Sequence, residues 1–275
     1  MQQFTYTSRI DQWPIAAYQW PVASARATIV ISHGLAEHAR RYDELARVLN
    51  AAGFEVYAMD HRAHGETSGP LGFGDYGEGG WDALIDDIDQ LIDICRTNAP
   101  DLPVFLLGHS MGAAAAQQYA PSGSEKLAGL VLSGSTLRNP GEEIPEYNAD
   151  FEPARTPYDW LSRDNAEVDK YINDPLCGFE GQTIRNGMDR TDPRRVDLTL
   201  LKMIRADLPV LLVAGDADPV NQKLKGIDYL ESCWRSAGVL KIDRQIYSGG
   251  RHEMFNETNK DDVSSRMIGW INRQI

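Results

Sequence analysis

The chain opens with two short stretches in which apolar and polar residues alternate, Phe4 to Ser8 and Ile15 to Trp20. A period of two suits strands with one wet face, so these predict an antiparallel edge hairpin. The pattern then changes. Apolar runs at Ala27 to Ser32, Phe54 to Met59, Val104 to Leu107, Leu130 to Ser133, Val210 to Ala214 and Leu240 to Tyr247 predict strands, several too uniformly apolar to have a solvated side. Between them, Arg41 to Ala52, Trp81 to Thr97, Met111 to Ala120, Gln222 to Ala237 and Asp261 to Gln274 repeat apolar residues at helical spacing, with Gly53 and Gly238 placed as stops. Strands alternating with helices predict an α/β fold: an eight-stranded, mostly parallel sheet with right-handed crossovers and helices on both faces.

Leu137 to Arg205 breaks this rhythm with prolines and short amphipathic pieces, and contains no convincing strand. It is read as a cap, residues 137–205, inserted into a core made of residues 1–136 and 206–275. Phe151, Tyr158, Trp160, Tyr171 and Phe179 supply enough apolar surface for a folded insertion, and its position over the strand ends would make it a lid.

Composition narrows the partners. The 275 residues suffice for one large domain that buries its core without staples. Lys and Arg total 27 against 40 Asp and Glu, and the resulting charge of −13 would repel phosphate backbones and anionic membranes, which excludes nucleic acid as a partner. Met1 to Ile10 has neither a basic region nor a long apolar run, so a soluble, cytoplasmic protein is expected. Three widely spaced cysteines, Cys95, Cys177 and Cys233, suit neither a disulfide framework nor a zinc knuckle and are read as packed thiols.

The sharpest chemical signal follows the strand at Val104: Gly108-His109-Ser110-Met111-Gly112, a G-x-S-x-G between a strand and a helix. A serine there sits on a crowded turn that only small residues permit, with its hydroxyl raised above the sheet at a helix N-terminus. A hydroxyl needs a general base to become a nucleophile. Of six histidines, only His252 follows Ser110, just after the last strand. The acid is expected after the penultimate strand, where Ala214-Gly215-Asp216-Ala217-Asp218 offers two aspartates. Asp218 is the choice, past the turn and able to fix the imidazole tautomer, while Asp216 is expected to bond loop amides. An oxyanion would be held by two backbone N–H groups, those of Met111 and Leu35, the latter after the His33-Gly34 bend. His33 itself is read as a brace.

Other motifs are discounted. Gly72 to Gly77 matches G-x-G-x-x-G but follows a turn-rich loop, so no dinucleotide cofactor is expected. His61 and His64 lack further ligands at metal spacing and are read as braces of the sheet edge, with no metal expected. The acidic helix Asp82 to Asp93 is read as a mostly solvated face.

In order along the chain, His33-Gly34-Leu35-Ala36-Glu37-His38 with Arg41-Tyr42, Asp60 to Gly65, Gly108 to Gly112, Asp218, and Arg251-His252-Glu253 resemble the landmarks of the monoacylglycerol lipase and lysophospholipase-like branch of the α/β-hydrolases, relatives of the S33 serine aminopeptidases. Pro157 to Asp164 and Asp174 to Phe179 also look like its bacterial members. The resemblance implies an α/β-hydrolase fold, Ser110, Asp218 and His252 as catalytic triad, Leu35 and Met111 as oxyanion donors, and no cofactor. It also implies a small ester or lipid as substrate, with at most transient membrane contact. Ala113 and Ala63 depart from it, standing where the family often has glycine. Lysophospholipase, thioesterase and peptidase activities on the same fold remain open, as does a ligand binder without catalysis. Epoxide and dehalogenase chemistry would need an aspartate in place of Ser110.

Overall fold

The computed structural model describes residues 1–69, 71–138, 146–179, 184–189 and 192–275. Eight strands form one sheet: β1 (Gln2–Thr7), β2 (Pro14–Trp20), β3 (Ala27–Ser32), β4 (Phe54–Met59), β5 (Val104–His109), β6 (Gly129–Ser133), β7 (Val210–Gly215) and β8 (Ile242–Tyr247). Their spatial order is β1-β2-β4-β3-β5-β6-β7-β8, with β1 and β2 antiparallel at one edge and the rest parallel. The edge hairpin and the parallel core thus follow the two hydrophobic periods of the chain.

The uniformly apolar strands are buried on both faces because each face carries its own core. Along β3 and β5 the side chains alternate: Val30, Val104 and Leu106 join one core, Ile29, Ile31, Phe105 and Leu107 the other. Helices α2 (Gly80–Asn98), α3 (Met111–Gly123) and α6 (Lys225–Ser236) cover the first face. Helices α1 (Asp43–Ala51) and α7 (Lys260–Ile271) cover the second, where Trp270 meets Phe105 edge to face at 6.3 Å.

Two expectations are corrected. Helix α6 starts at Lys225 rather than Gln222, because Gln222, Lys223 and Leu224 all have left-handed φ, +55°, +54° and +77°, which a helix cannot contain. The acidic helix α2 is not simply a solvated face. Asp87 is buried and accepts from Arg62 Nε at 2.9 Å, while Asp86 and Asp89 tie down Arg9 and Lys126. Arg62, itself fully buried, also reaches Asp11 at 2.8 Å, so this helix is anchored to the N-terminal hairpin.

Between β6 and β7 the described residues contain only short helices, α4 (Asn165–Asn173) and α5 (Leu198–Leu201) the longest. Residues 139–145, 180–183, 190 and 191 of the expected 137–205 insertion lie outside the described residues. The segment closes against the core at named points. Asp174 accepts from His38 at 2.9 Å, Arg163 donates to the buried Glu257, and Phe179 stacks on Phe73 at 5.3 Å. No described helix is long and apolar enough to cross a membrane.

Candidate active site

The turn from β5 into α3 is set by close approach of backbones. A Cβ on Gly112 would lie 2.0 Å from the Ser32 carbonyl oxygen, and one on Gly108 2.6 Å from the Gly112 oxygen, so neither position tolerates a side chain without displacement. Between them Ser110 adopts φ +53° and ψ −113°, a strained conformation for a residue with a Cβ. Its N–H is tied to Ser133 O at 2.9 Å, and the Ser110 side chain is left at the N-terminus of α3.

Ser110 and His252 line one cavity of about 300 Å³, together with Leu35 and Met111. Asp218 lies behind the imidazole, fully buried, with Oδ2 3.0 Å from His252 Nδ1. Its other oxygen accepts from Val220 N–H at 2.8 Å, which fixes the carboxylate plane. Since the carboxylate accepts from Nδ1, the neutral ring carries its proton there and keeps a lone pair on Nε2. That nitrogen is buried and bonds no described residue. The Ser110 hydroxyl does not hydrogen-bond His252 in this conformation; such contacts commonly tighten only when substrate is bound. Burial pushes the His252 pKa down, but the adjacent Asp218 charge and hydrogen bond outweigh it and hold the imidazole above its ordinary value. Among the described residues the N–H groups of Leu35 and Met111 have no protein acceptor.

Asp216 lies outside this cluster and staples the loop after β8, accepting from Gly249 N–H at 2.7 Å. The histidine braces are buried and mutually packed. His33 Nδ1 donates to Gly34 O at 2.7 Å, and its Nε2 accepts from His61 N–H at 2.9 Å. His61 Nε2 meets Ser32 Oγ at 2.9 Å, and the His33 and His61 ring centres are 4.2 Å apart. Burial holds all three imidazoles, His33, His61 and His64, below their ordinary pKa, His64 at about 4.

Three further features shape the site. The buried guanidinium of Arg41 bridges two buried carboxylates, Glu37 at 2.6 Å and Glu253 at 2.8 Å. Glu37 also accepts from Gly34 N–H at 2.5 Å, so one network locks the loop before Leu35 to the loop carrying His252. His109 and Trp160 flank the His252 ring, at centroid distances of 4.8 and 5.1 Å, one from the turn and one from the β6–β7 segment. Arg138 and Arg195 enter the cavity wall from either end of that segment. Pairings between residues 212 positions apart, such as Arg41 with Glu253, leave no local trace in the sequence.

A family profile described as serine aminopeptidase, S33, matches residues 23–259. The monoglyceride lipases of Homo sapiens and Mus musculus are 32% and 30% identical, each alignment covering 96% of this chain and 88% of the relative. Among solved structures, a thermostable carboxyl esterase from Bacillus coagulans, in complex with glycerol, superposes with a TM-score of 0.86 at 28% identity, covering 98% of this chain and 97% of that one.

Proposed function

We propose, from the premise that this chain belongs to the serine aminopeptidase S33 family of α/β-hydrolases, that it cleaves monoacylglycerols or other small carboxylic esters through an acyl-enzyme on Ser110. The chain is a hydrolase of the lipase and esterase type. In the proposed mechanism His252 Nε2 takes the Ser110 proton as Oγ attacks the ester carbonyl. The oxyanion is held by the N–H groups of Leu35 and Met111. Collapse expels the alcohol, protonated by His252, and water activated by the same imidazole then releases the acid and restores the serine. Asp218 keeps its charge throughout, orienting the ring and stabilising the imidazolium.

The observation that carries the reading is the Asp218–His252 bond at 3.0 Å, set behind a cavity that also holds a serine on a strained turn. Residues 137–205 are proposed as a cap over this cavity, supported by the contributions of Tyr158, Trp160, Leu161, Tyr171 and Phe179 to its wall. A cytoplasmic location with at most transient lipid contact belongs to the same reading, supported by the charge of −13.

The test is hydrolysis of 4-nitrophenyl octanoate and 1-octanoylglycerol by the wild type and Ser110→Ala. Loss of both activities by at least about three orders of magnitude is expected. Equal turnover by the two proteins would remove Ser110 from the mechanism.

A further inference from the structure

Beside the catalytic cavity, and not in its wall, three side chains gather with the chemistry of a metal site. An imidazole nitrogen of His38, a carboxylate oxygen of Asp174 and Sγ of Cys177 lie within 4.8 Å of one another. They come from two parts of the molecule. His38 follows β3 in the loop that carries Leu35, whereas Asp174 and Cys177 follow α4 in the β6–β7 segment. With 136 positions between His38 and Asp174, no spacing in the sequence announces the group.

His38 is buried, and its Nε2 donates to Asp174 Oδ2 at 2.9 Å. Nδ1, equally buried, has no partner among the described residues, so nothing there pins the ring proton to Nε2. Asp174 Oδ1 accepts from Leu176 N–H at 2.9 Å, which orients the carboxylate. Cys177 is a free thiol, and it and Asp174 are each partly exposed, which gives an ion a way in. The formal charges around the thiol favour a cation, three carboxylates, Glu37, Glu253 and Asp174, against the one guanidinium of Arg41. Sulfur, imidazole and carboxylate together suit a borderline-soft ion such as zinc, whereas magnesium and calcium take oxygen ligands.

We propose that His38, Asp174 and Cys177 bind zinc or a similar thiophilic divalent cation, which clips the β6–β7 segment to the loop carrying Leu35. The ion takes the place of the proton on His38 Nε2, which moves to Nδ1, while the Cys177 proton leaves to solvent and a water completes the tetrahedron. The clip acts next to the cavity. Gly178, adjacent to Cys177, lines the cavity and donates its N–H to Ala36 O at 2.9 Å, one residue from Leu35. A bound ion therefore holds this wall and that loop together. The inference does not depend on the ester-hydrolase reading, since no member of the triad takes part.

The test titrates metal-free, reduced enzyme with Zn²⁺ by calorimetry and with Co²⁺ by absorbance, where a near-ultraviolet thiolate-to-cobalt band reports a sulfur ligand. Wild type should bind one equivalent and show the band. Cys177→Ser should abolish the band and weaken zinc at least about a hundredfold, more than losing a residue behind a ligand costs; Asp174→Asn should weaken it about ten- to hundredfold. Cys233→Ser, on α6, should change neither readout. Zinc should also slow amide hydrogen exchange from Tyr171 to Phe179 in the wild type. No band in the wild type, or zinc affinity undiminished by Cys177→Ser or by Asp174→Asn, would overturn the site; unchanged exchange in the zinc-saturated protein would overturn the clip. Should Cys177→Ser fold poorly, alkylation of Cys177 by iodoacetamide in the wild type decides instead. Protection by zinc supports the site, and equal rates with and without zinc would sink it.

Discussion

Replacing Asp218 by asparagine removes one charge and little volume. The carboxylate is fully buried and 3.0 Å from His252 Nδ1, so the imidazolium formed during serine attack depends on it directly. At a separation of roughly 4 Å and an effective dielectric near 20, a charge pair is worth about 4 kcal/mol, close to three powers of ten in rate. An asparagine can also present its N–H₂ to Nδ1 and turn the ring to the wrong tautomer, so we expect kcat to fall by about 10³ to 10⁴. Asp216→Asn, whose residue among the described residues accepts only from Gly249 N–H, should change kcat by less than about threefold, since an amide oxygen can keep that neutral bond. The two variants are compared by 4-nitrophenyl octanoate hydrolysis from pH 5 to 9. The pH profile adds a second check. Burial lowers the His252 pKa and Asp218 raises it above the ordinary value, so activity should fall as pH drops through that raised value. With the Asp218 charge removed, burial is opposed only by the smaller contributions of Glu253 and Glu37, and the acidic limb should move to lower pH. A larger loss with Asp216→Asn, or a limb moving to higher pH, would refute the assignment.

Gly112→Ala places a Cβ 2.0 Å from Ser32 O, and the forced separation of α3 from β3 should cost about 1–3 kcal/mol in urea unfolding; an unchanged midpoint would mean the elbow is looser than described. Arg41→Met leaves Glu37 and Glu253 buried without their cation, so a loss of about 3–5 kcal/mol is expected, and restoration by the triple change with Glu37→Gln and Glu253→Gln would identify the unpaired charges as the cause. Burial holds His33, His61 and His64 below their ordinary pKa in the folded chain, His64 at about 4. The unfolded chain binds these protons first, near pH 6.5, so their contribution is intact above about pH 6.5 and is lost as pH falls toward the folded values. Urea midpoints measured from pH 7 to pH 4.5 should therefore decline less steeply for His64→Gln than for the wild type.

Much of this molecule is written in local pattern. The change from alternating to continuous apolar runs near Ala27 marks where the antiparallel hairpin ends and the parallel core begins, because a strand covered on both faces has little room for charged residues. The elbow is equally legible. Gly108 and Gly112 are demanded by backbone contacts within a few residues of Ser110 and with the adjacent strand β3. The order serine, aspartate, histidine follows from strands that each end at the same sheet edge, so a short sequence window after each strand names its candidate. Other features depend on residues far apart in the chain. Three left-handed residues delay α6, although Gln222 to Leu224 continue the amphipathic pattern. Asp87 looks like one more charge on an acidic helix until the hairpin brings Arg62 and Asp11 beside it. Glu37, Arg41 and Glu253 form their network, and Arg138 and Arg195 share a wall, only after the chain has folded. Periodicity and turn chemistry act over a few residues and can be read directly. Which charges meet in a buried space is decided by packing of distant segments, where a single desolvated partner outweighs any local preference.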